Sequence, residues 1–156
     1  MAKKLLLRGP LLTRSGYGEQ SRFALRALRS RPDLFDIYIH PLQWGATSWT
    51  NEYSAERNWI DETIEKTAHY IQEGGQFDIS VQVTIPNEWE KLAPLNIGYT
   101  AGIETTKVAY PWIEKGNVMD HIIVVSKHSK NVYQDTEYVG QNPQGEKVSV
   151  KLLTPV

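Results

Sequence analysis

The stretch KLLLRGPLLTRSGYGEQSR, residues 4–22, decides the predicted fold. Its apolar run over residues 4–7, closed by Gly9 and Pro10, predicts a short buried strand that opens into a loop. The loop contains two glycines, and after it apolar residues recur at helical spacing until Pro32, which predicts a helix that ends before the proline. A strand, a glycine-containing loop and a helix in this order are the opening of an α/β unit.

The rest of the chain continues to alternate strands with helices. A second helix is predicted from Ser54, which can cap its amino end, to the stop signal at Gly74, and a short third helix follows Ser126. A polar turn is predicted at residues 140–143. We therefore predict an α/β fold with a mostly parallel sheet, flanked by helices and joined by right-handed crossovers, in one domain over residues 1–156. Further strands are predicted at residues 35–39, 77–85, 96–101, 121–125 and 148–152.

Charge and residue content exclude several classes of protein. The 17 basic and 18 acidic side chains give a formal net charge of −1, so no overall positive field favours nucleic acid as a partner. No stretch approaches the roughly 18 consecutive apolar residues of a membrane-spanning helix, so we expect no membrane span. The absence of cysteine excludes disulfides and thiolate chemistry, and it fits a reducing compartment, so we expect a cytoplasmic protein.

The residues Ser15, Gly16, Tyr17 and Gly18 form the first candidate binding site. They lie between the first strand and the first helix, where glycine lets a ligand approach the backbone and the amino end of a helix carries partial positive charge. A phosphate or a sugar hydroxyl can bind such a position, so we predict ligand approach or a positive φ at Gly16 and Gly18. A turn without a ligand is the alternative interpretation. The third glycine of the dinucleotide fingerprint is missing, which disfavours a nicotinamide site.

Two blocks of the sequence resemble the N-terminal domain of GT-B glycosyltransferases of the group 1, family 4-like type. The first block is GYGEQSR, residues 16–22, which follows the first strand as the Ser-Gly-Tyr-Gly pattern often does in that family. The second block starts at a predicted strand and ends at a strand closed by serine, and together the two blocks cover most of the chain. The second block consists of residues 96–100, Glu104, Thr105, Pro111, Trp112, Asp120 and residues 122–126.

The resemblance implies a Rossmann-like domain, one half of a GT-B fold, that supplies the acceptor side of sugar transfer from a nucleotide-sugar donor. In this family a C-terminal domain binds the donor, and residues 147–156 resemble the start of the segment that leads to it. The partners implied are thus a sugar acceptor and a C-terminal donor-binding domain, absent here, or a partner chain in its place. No tightly bound cofactor is implied, because the nucleotide sugar belongs to the two-domain enzyme. We expect the 156-residue chain alone to be inactive.

Two other functions stay open on the sequence. A non-catalytic α/β module that binds a sugar or a protein would share this fold, because a fold does not fix a function. A flavodoxin-like or other nucleotide-binding domain would need a recognisable phosphate loop, and the sequence has no Walker pattern. The second alternative is therefore the weaker one.

Glu104, Ser126 and Lys127 complete the predicted substrate-binding set, in which no residue is assigned a catalytic role. Each follows a predicted central strand, and ligands of open α/β sheets bind beyond the carboxyl ends of the strands. A solvated loop side chain or a helix cap is the alternative for these residues. The strand ends that we predict to share one edge of the sheet are Gly9, Pro41, Ala101 and Ser126.

One histidine and two tryptophans are weaker candidates. The four histidines lack the spacing of a metal site, so no metal is expected, and His40 is kept as a base or hydrogen-bond donor at a strand end. Trp44 and Trp49 lie in a predicted loop over residues 43–53 and could stack on the apolar face of a sugar. Packing of the loop against the domain is the alternative for both tryptophans.

Overall fold

The computed structural model describes residues 1–156, which form a parallel sheet with helices packed against it. The strands are β1 (Lys3–Gly9), β2 (Phe35–Pro41), β3 (Ile79–Val83), β4 (Leu95–Tyr99), β5 (His121–Ile123), β6 (Glu137–Gln141) and β7 (Lys147–Lys151). The helices are α1 (Gly16–Arg29), α2 (Ala55–Gln72), α3 (Tyr110–Gly116) and α4 (Lys127–Asp135), and a 3₁₀ turn covers Pro86–Glu88. The main sheet has the order β2-β1-β3-β4-β5, with all its strands parallel. This architecture confirms the predicted α/β class and is Rossmann-like.

Strand β1 lies inside the sheet and carries the main core. It pairs with β2 along its whole length and with β3 over residues 5–8. Leu5 and Leu7 are 1% and 0% exposed, and they belong to a cluster that also contains Leu25 of α1 and Ile60 of α2. Burial of one such side chain contributes about 1.5–3 kcal/mol. This cluster therefore fixes both helices against the sheet.

Helix α2 covers the outer edge of strand β2. The Ile39 N–H donates to Thr67 Oγ1 at 2.9 Å, and Lys66 Nζ donates to the Ile37 carbonyl oxygen at 3.2 Å. An uncovered edge strand exposes backbone groups to pairing with another chain. These two bonds satisfy backbone groups of β2 on the side that carries no neighbouring strand.

The opposite edge of the sheet, strand β5, is flanked by the last residues of the chain. The Ile122 N–H donates to the Pro155 carbonyl oxygen at 2.9 Å. A separate apolar cluster around Ile113 of α3 and Tyr133 of α4, both 0% exposed, holds the β6–β7 hairpin to this side. None of the helices has both the length and the apolar character that crossing a lipid bilayer requires.

The strands near the carboxyl end differ from the prediction. The strand predicted at residues 148–152 exists as β7, but it pairs antiparallel with β6 and lies outside the parallel sheet. The predicted polar turn is displaced, because Gly140 still belongs to β6 and the chain reverses between Asn142 and Gly145. Asn142 Oδ1 accepts two backbone N–H groups, and Gly145 takes the positive φ of 81° that the turn needs.

Candidate functional site

The carboxyl ends of the five parallel strands lie at one edge of the sheet. Gly9 is paired with Pro41, and Tyr99 is paired with Ile123, so the loops that follow these strands leave the sheet together. This confirms the predicted common edge, although Ala101 and Ser126 lie two and three residues beyond the ends of β4 and β5. In the observed strand order the chain changes direction between β1 and β3, and open α/β sheets bind ligands at such a switch point.

The predicted glycine loop forms the cap and first turn of helix α1. Ser15 is the N-cap residue, and its Oγ accepts the Gly18 N–H at 2.9 Å and hydrogen-bonds to Thr13 Oγ1 at 2.7 Å. Gly16 is the first helical residue. Neither Gly16 nor Gly18 has a positive φ, so that part of the prediction is wrong, because a helical turn uses ordinary negative φ values.

The two glycines have different surroundings. A β-carbon at Gly18 would lie 2.3 Å from the Thr13 carbonyl oxygen and 3.0 Å from that of Pro10. A β-carbon at Gly16 would meet no atom within 4 Å. Gly18 is therefore required for packing of the chain against itself, whereas Gly16 faces open space.

A groove lies between the amino ends of helices α1 and α2, and we call it the α1–α2 groove. Its volume is about 770 Å³. Ser15 and Gly16 line it from α1, and Ser54, which caps α2 by accepting the Arg57 N–H at 3.0 Å, lines it from the other side. Both helix amino ends therefore direct partial positive charge toward this space. Its further lining residues are Leu11, Leu12, Arg14, Glu19, Arg22, Arg26, Thr50, Glu52, Glu56, Arg57 and Ile60.

The charges that line the α1–α2 groove are largely paired. Arg22 lies 2.8 Å from Glu19, and Arg26 lies 2.8 Å from Glu56 across the two helices. Arg22 also donates to the carbonyl oxygens of Leu11 and Thr13, at 2.7 and 2.9 Å, and thereby holds the loop between β1 and α1. The groove therefore presents charged groups of both signs, four arginines and three glutamates.

Tyr17 points away from the α1–α2 groove and toward strand β4. Its hydroxyl bonds with Thr100 Oγ1 at 3.0 Å and accepts the Ala101 N–H at 3.2 Å. Its ring packs on Trp44, with the ring centroids 4.6 Å apart. In this arrangement Tyr17 joins the start of α1 to the end of β4.

The candidates Glu104, Ser126 and Lys127 lie further along the same edge. Ser126 caps helix α4, since its Oγ accepts the Ser129 N–H at 3.0 Å, and Lys127 is the exposed first residue of that helix. These two residues line a shallow cavity of about 450 Å³ beside strand β5. Glu104 is exposed in the loop after β4 and lines neither this cavity nor the α1–α2 groove. The candidate residues thus share one edge of the sheet but not one cavity.

Several groove residues were missed because a loop brings them there. The backbone bonds Arg14 N to Ser48 O and Thr50 N to Leu12 O, both 2.8 Å long, join the loop after β2 to the loop after β1. They place Thr50 and the residues after it beside Ser15. The only sequence signal for this position was the helix cap predicted at Ser54.

A cluster of polar side chains around Arg8 was also missed. Arg8 Nη1 donates to the Glu88 carbonyl oxygen at 2.9 Å, its Nη2 lies 3.5 Å from Glu90 Oε1, and its buried Nε has no partner. His40 is the neighbour of Arg8 on β2. Partial desolvation of the imidazole and the Arg8 charge lower the pKa of His40 below its ordinary range, against an opposing effect of Glu90.

The serines at this edge offer hydrogen bonds to a ligand. Ser15, Ser54 and Ser126 each cap a helix, and none of them hydrogen-bonds to a histidine or a carboxylate that could activate it. No group of three or more His, Cys, Asp or Glu side chains is arranged to hold a metal ion. No protein-family model, curated protein or solved structure matches the chain.

Proposed function

We propose that the chain is the acceptor-side domain of a glycosyltransferase, in which sugar is transferred from a nucleotide-sugar donor. The observation that carries this proposal is the polar α1–α2 groove at the carboxyl edge of a parallel sheet. The resemblance of residues 16–22 and 96–126 to GT-B enzymes supports it from the sequence. The absence of cysteine supports a cytoplasmic location.

The size and lining of the groove suit a saccharide. Its volume of about 770 Å³ falls within the range of roughly 300–1,000 Å³ that is common for small-molecule sites. Hydroxyls of Ser15, Thr50 and Ser54 and the charged side chains beside them offer donors and acceptors to a ligand rich in hydroxyl groups. Because Arg22 and Arg26 are paired with carboxylates, a neutral ligand fits the groove better than a polyanion does.

In the proposed reaction this domain contributes positioning. Holding an acceptor hydroxyl in the attacking orientation lowers the entropic part of the barrier. The nucleotide sugar and the stabilisation of its leaving phosphate belong to a second domain or a partner chain. Glu104, Ser126 and Lys127 are proposed substrate contacts further along the edge, and no residue of this chain is assigned a catalytic role.

A glycan array tests the proposal with the chain as it stands. We expect the labelled 156-residue chain to retain a defined set of oligosaccharides and to bind no nucleotide sugar in a parallel titration. The Gly16→Val variant, whose added atoms enter the open groove, should lose the retained oligosaccharides. Gly140→Val is the matched control, because Gly140 also has open space around it and lies on the distant hairpin.

Two results would contradict the proposed function. Tight binding of a nucleotide sugar by this chain would place the donor site here and not in another domain. Failure to retain any oligosaccharide, together with specific capture of a protein, would favour the alternative of a protein-interaction module.

A further inference from the structure

A third cavity, also shallow, lies at the same edge of the sheet, between the loop after β2 and the 3₁₀ turn after β3. We call it the Trp44 cleft, and its volume is about 560 Å³. Gln43, Trp44 and Thr47 line it from the first loop, and Ile85 and Glu88 line it from the other side. None of these residues lines the α1–α2 groove.

The loop that carries Trp44 is held in place by defined contacts. The backbone bridge between Thr13 and Trp49 fixes its far end, and Thr47 Oγ1 donates to the Trp44 carbonyl oxygen at 2.6 Å. Gly45 has a φ of 53°, which glycine adopts without strain. The ring of Tyr17 packs against the Trp44 ring, at a centroid distance of 4.6 Å and an interplanar angle of 40°. Trp44 is therefore a fixed wall of the cleft, and not a freely moving surface side chain.

The side chains of the cleft have the chemistry that a sugar ring requires. The Trp44 ring offers an apolar surface to the C–H groups on one face of a pyranose. The Gln43 amide and the Glu88 carboxylate are planar groups that can each bond to two neighbouring hydroxyls. The Glu88 carboxylate takes part in no ion pair, so it is free to accept hydrogen bonds from a ligand. Its negative charge argues against an anionic ligand here.

The loop after β2 contributes lining residues to both the Trp44 cleft and the α1–α2 groove. Residues 48–50 form the bridge with residues 12–14; the residues before the bridge line the Trp44 cleft, and the residues from Thr50 onward line the α1–α2 groove. We propose that the Trp44 cleft is a saccharide subsite that binds one neutral pyranose ring of the acceptor. This inference rests on the proposed function and adds to it a second binding position.

Titration with simple glycosides tests the subsite directly. The probes are the methyl glycosides of glucose, galactose and mannose, added to the ¹⁵N-labelled chain while its amide and indole N–H signals are recorded. We expect at least one glycoside to shift the Trp44 indole signal and the amides of Gly45 and Glu88. Trp44→Ala and Glu88→Gln should each weaken that binding about tenfold, the amount that the loss of one charged hydrogen bond or one aromatic contact gives.

The controls separate a lost subsite from a lost fold. Glu88→Gln keeps the shape of the side chain and leaves the backbone oxygen that Arg8 bonds, so this variant should unfold as the unaltered chain does. Tyr53→Ala changes an aromatic side chain that is 99% exposed and lines neither the cleft nor the α1–α2 groove, and it should leave glycoside affinity unchanged. Trp44→Phe keeps an aromatic surface and should retain most of the affinity.

The outcomes also separate this inference from the proposed function. Glycoside shifts confined to Ser15, Gly16 and Ser54, or an affinity that Glu88→Gln and Trp44→Ala leave unchanged, would overturn the subsite and leave the acceptor groove standing. No binding of any glycoside to a folded chain at concentrations up to tens of millimolar would also overturn the subsite. The proposed function has a separate test, the glycan array. It fails if the chain retains no oligosaccharide whose binding is lost in Gly16→Val.

Discussion

The substitution Gly18→Ala should destabilise the protein, although alanine normally favours a helix. Its β-carbon would lie 2.3 Å from the Thr13 carbonyl oxygen and 2.8 Å from Thr13 Oγ1. The contact with the carbonyl oxygen can be relieved only if helix α1 moves away from the loop after β1. Overpacking of this kind costs about 1–3 kcal/mol. At Gly16, a β-carbon meets nothing within 4 Å, so Gly16→Ala should be neutral or stabilising by up to about 1 kcal/mol.

Urea and thermal unfolding of both variants measure this difference. For a domain of this length, a loss of about 1–3 kcal/mol lowers the melting temperature by about 2–12 °C. Gly140→Ala is the control, because a β-carbon at Gly140 would also meet no atom within 4 Å. If Gly18→Ala has the same melting temperature as Gly140→Ala and Gly16→Ala, the close approach of Gly18 to Thr13 is not a constraint and the packing argument is refuted.

His40 and Tyr17, both at the carboxyl edge of the parallel sheet, and the activity of the 156-residue chain give three further predictions. The pKa of His40 is lowered in the folded chain, so as the pH falls below ~6.5 the imidazole of the unfolded chain takes up a proton before that of the folded chain does. The free energy of unfolding should therefore decrease as the pH drops through and below that value. His40→Gln should make the dependence of this free energy on pH less steep in urea titrations from about pH 5 to 8. Tyr17→Phe removes the bonds to Thr100 and Ala101 and should cost about 1 kcal/mol, whereas an unchanged unfolding midpoint would deny Tyr17 its joining role. The purified chain should neither hydrolyse nor transfer sugar from a nucleotide sugar, and sustained turnover, measured as nucleotide released, would place the donor site within these residues.

The sequence predicted the first half of the fold because its signals there are local. The apolar run before Gly9 and the helical spacing after Gly18 indicated β1 and α1, and Ser54 and Gly74 marked the ends of α2. Gly74 has the positive φ of 78° that a helix stop uses. Each of these features depends on neighbouring residues, which a sequence displays directly.

The sequence did not predict the carboxyl-terminal hairpin, because its pattern indicated only the second of the two strands, β7, and not β6. The residues of β7 alternate as a strand should, but alternation does not say whether a strand joins a parallel sheet or pairs with its neighbour. Only Asn142 and Gly145, which close the turn, distinguish the hairpin, and a turn two residues away was the more obvious interpretation.

The sequence located only part of the candidate site, because it shows local features but not contacts between separate loops. Ser15 and Gly16 were found because they lie where a first strand passes into a first helix. Thr50 reaches the site through backbone bonds between two loops, which no pattern of residue types indicates. Gly18 was predicted for the approach of a ligand, and the structure shows a second requirement for its small size, the packing against Thr13.

The most direct test of the proposed acceptor site is the affinity of an oligosaccharide for the α1–α2 groove. Calorimetric titration of an array-selected oligosaccharide into the unaltered chain, Gly16→Val and Gly140→Val gives that affinity, and urea unfolding of the same samples gives their stability. We predict binding at least roughly tenfold weaker for Gly16→Val, with its free energy of unfolding within about 0.5 kcal/mol of the unaltered chain, and no change in affinity for Gly140→Val. Equal affinity in all three folded proteins would contradict the assignment of the groove as the acceptor site.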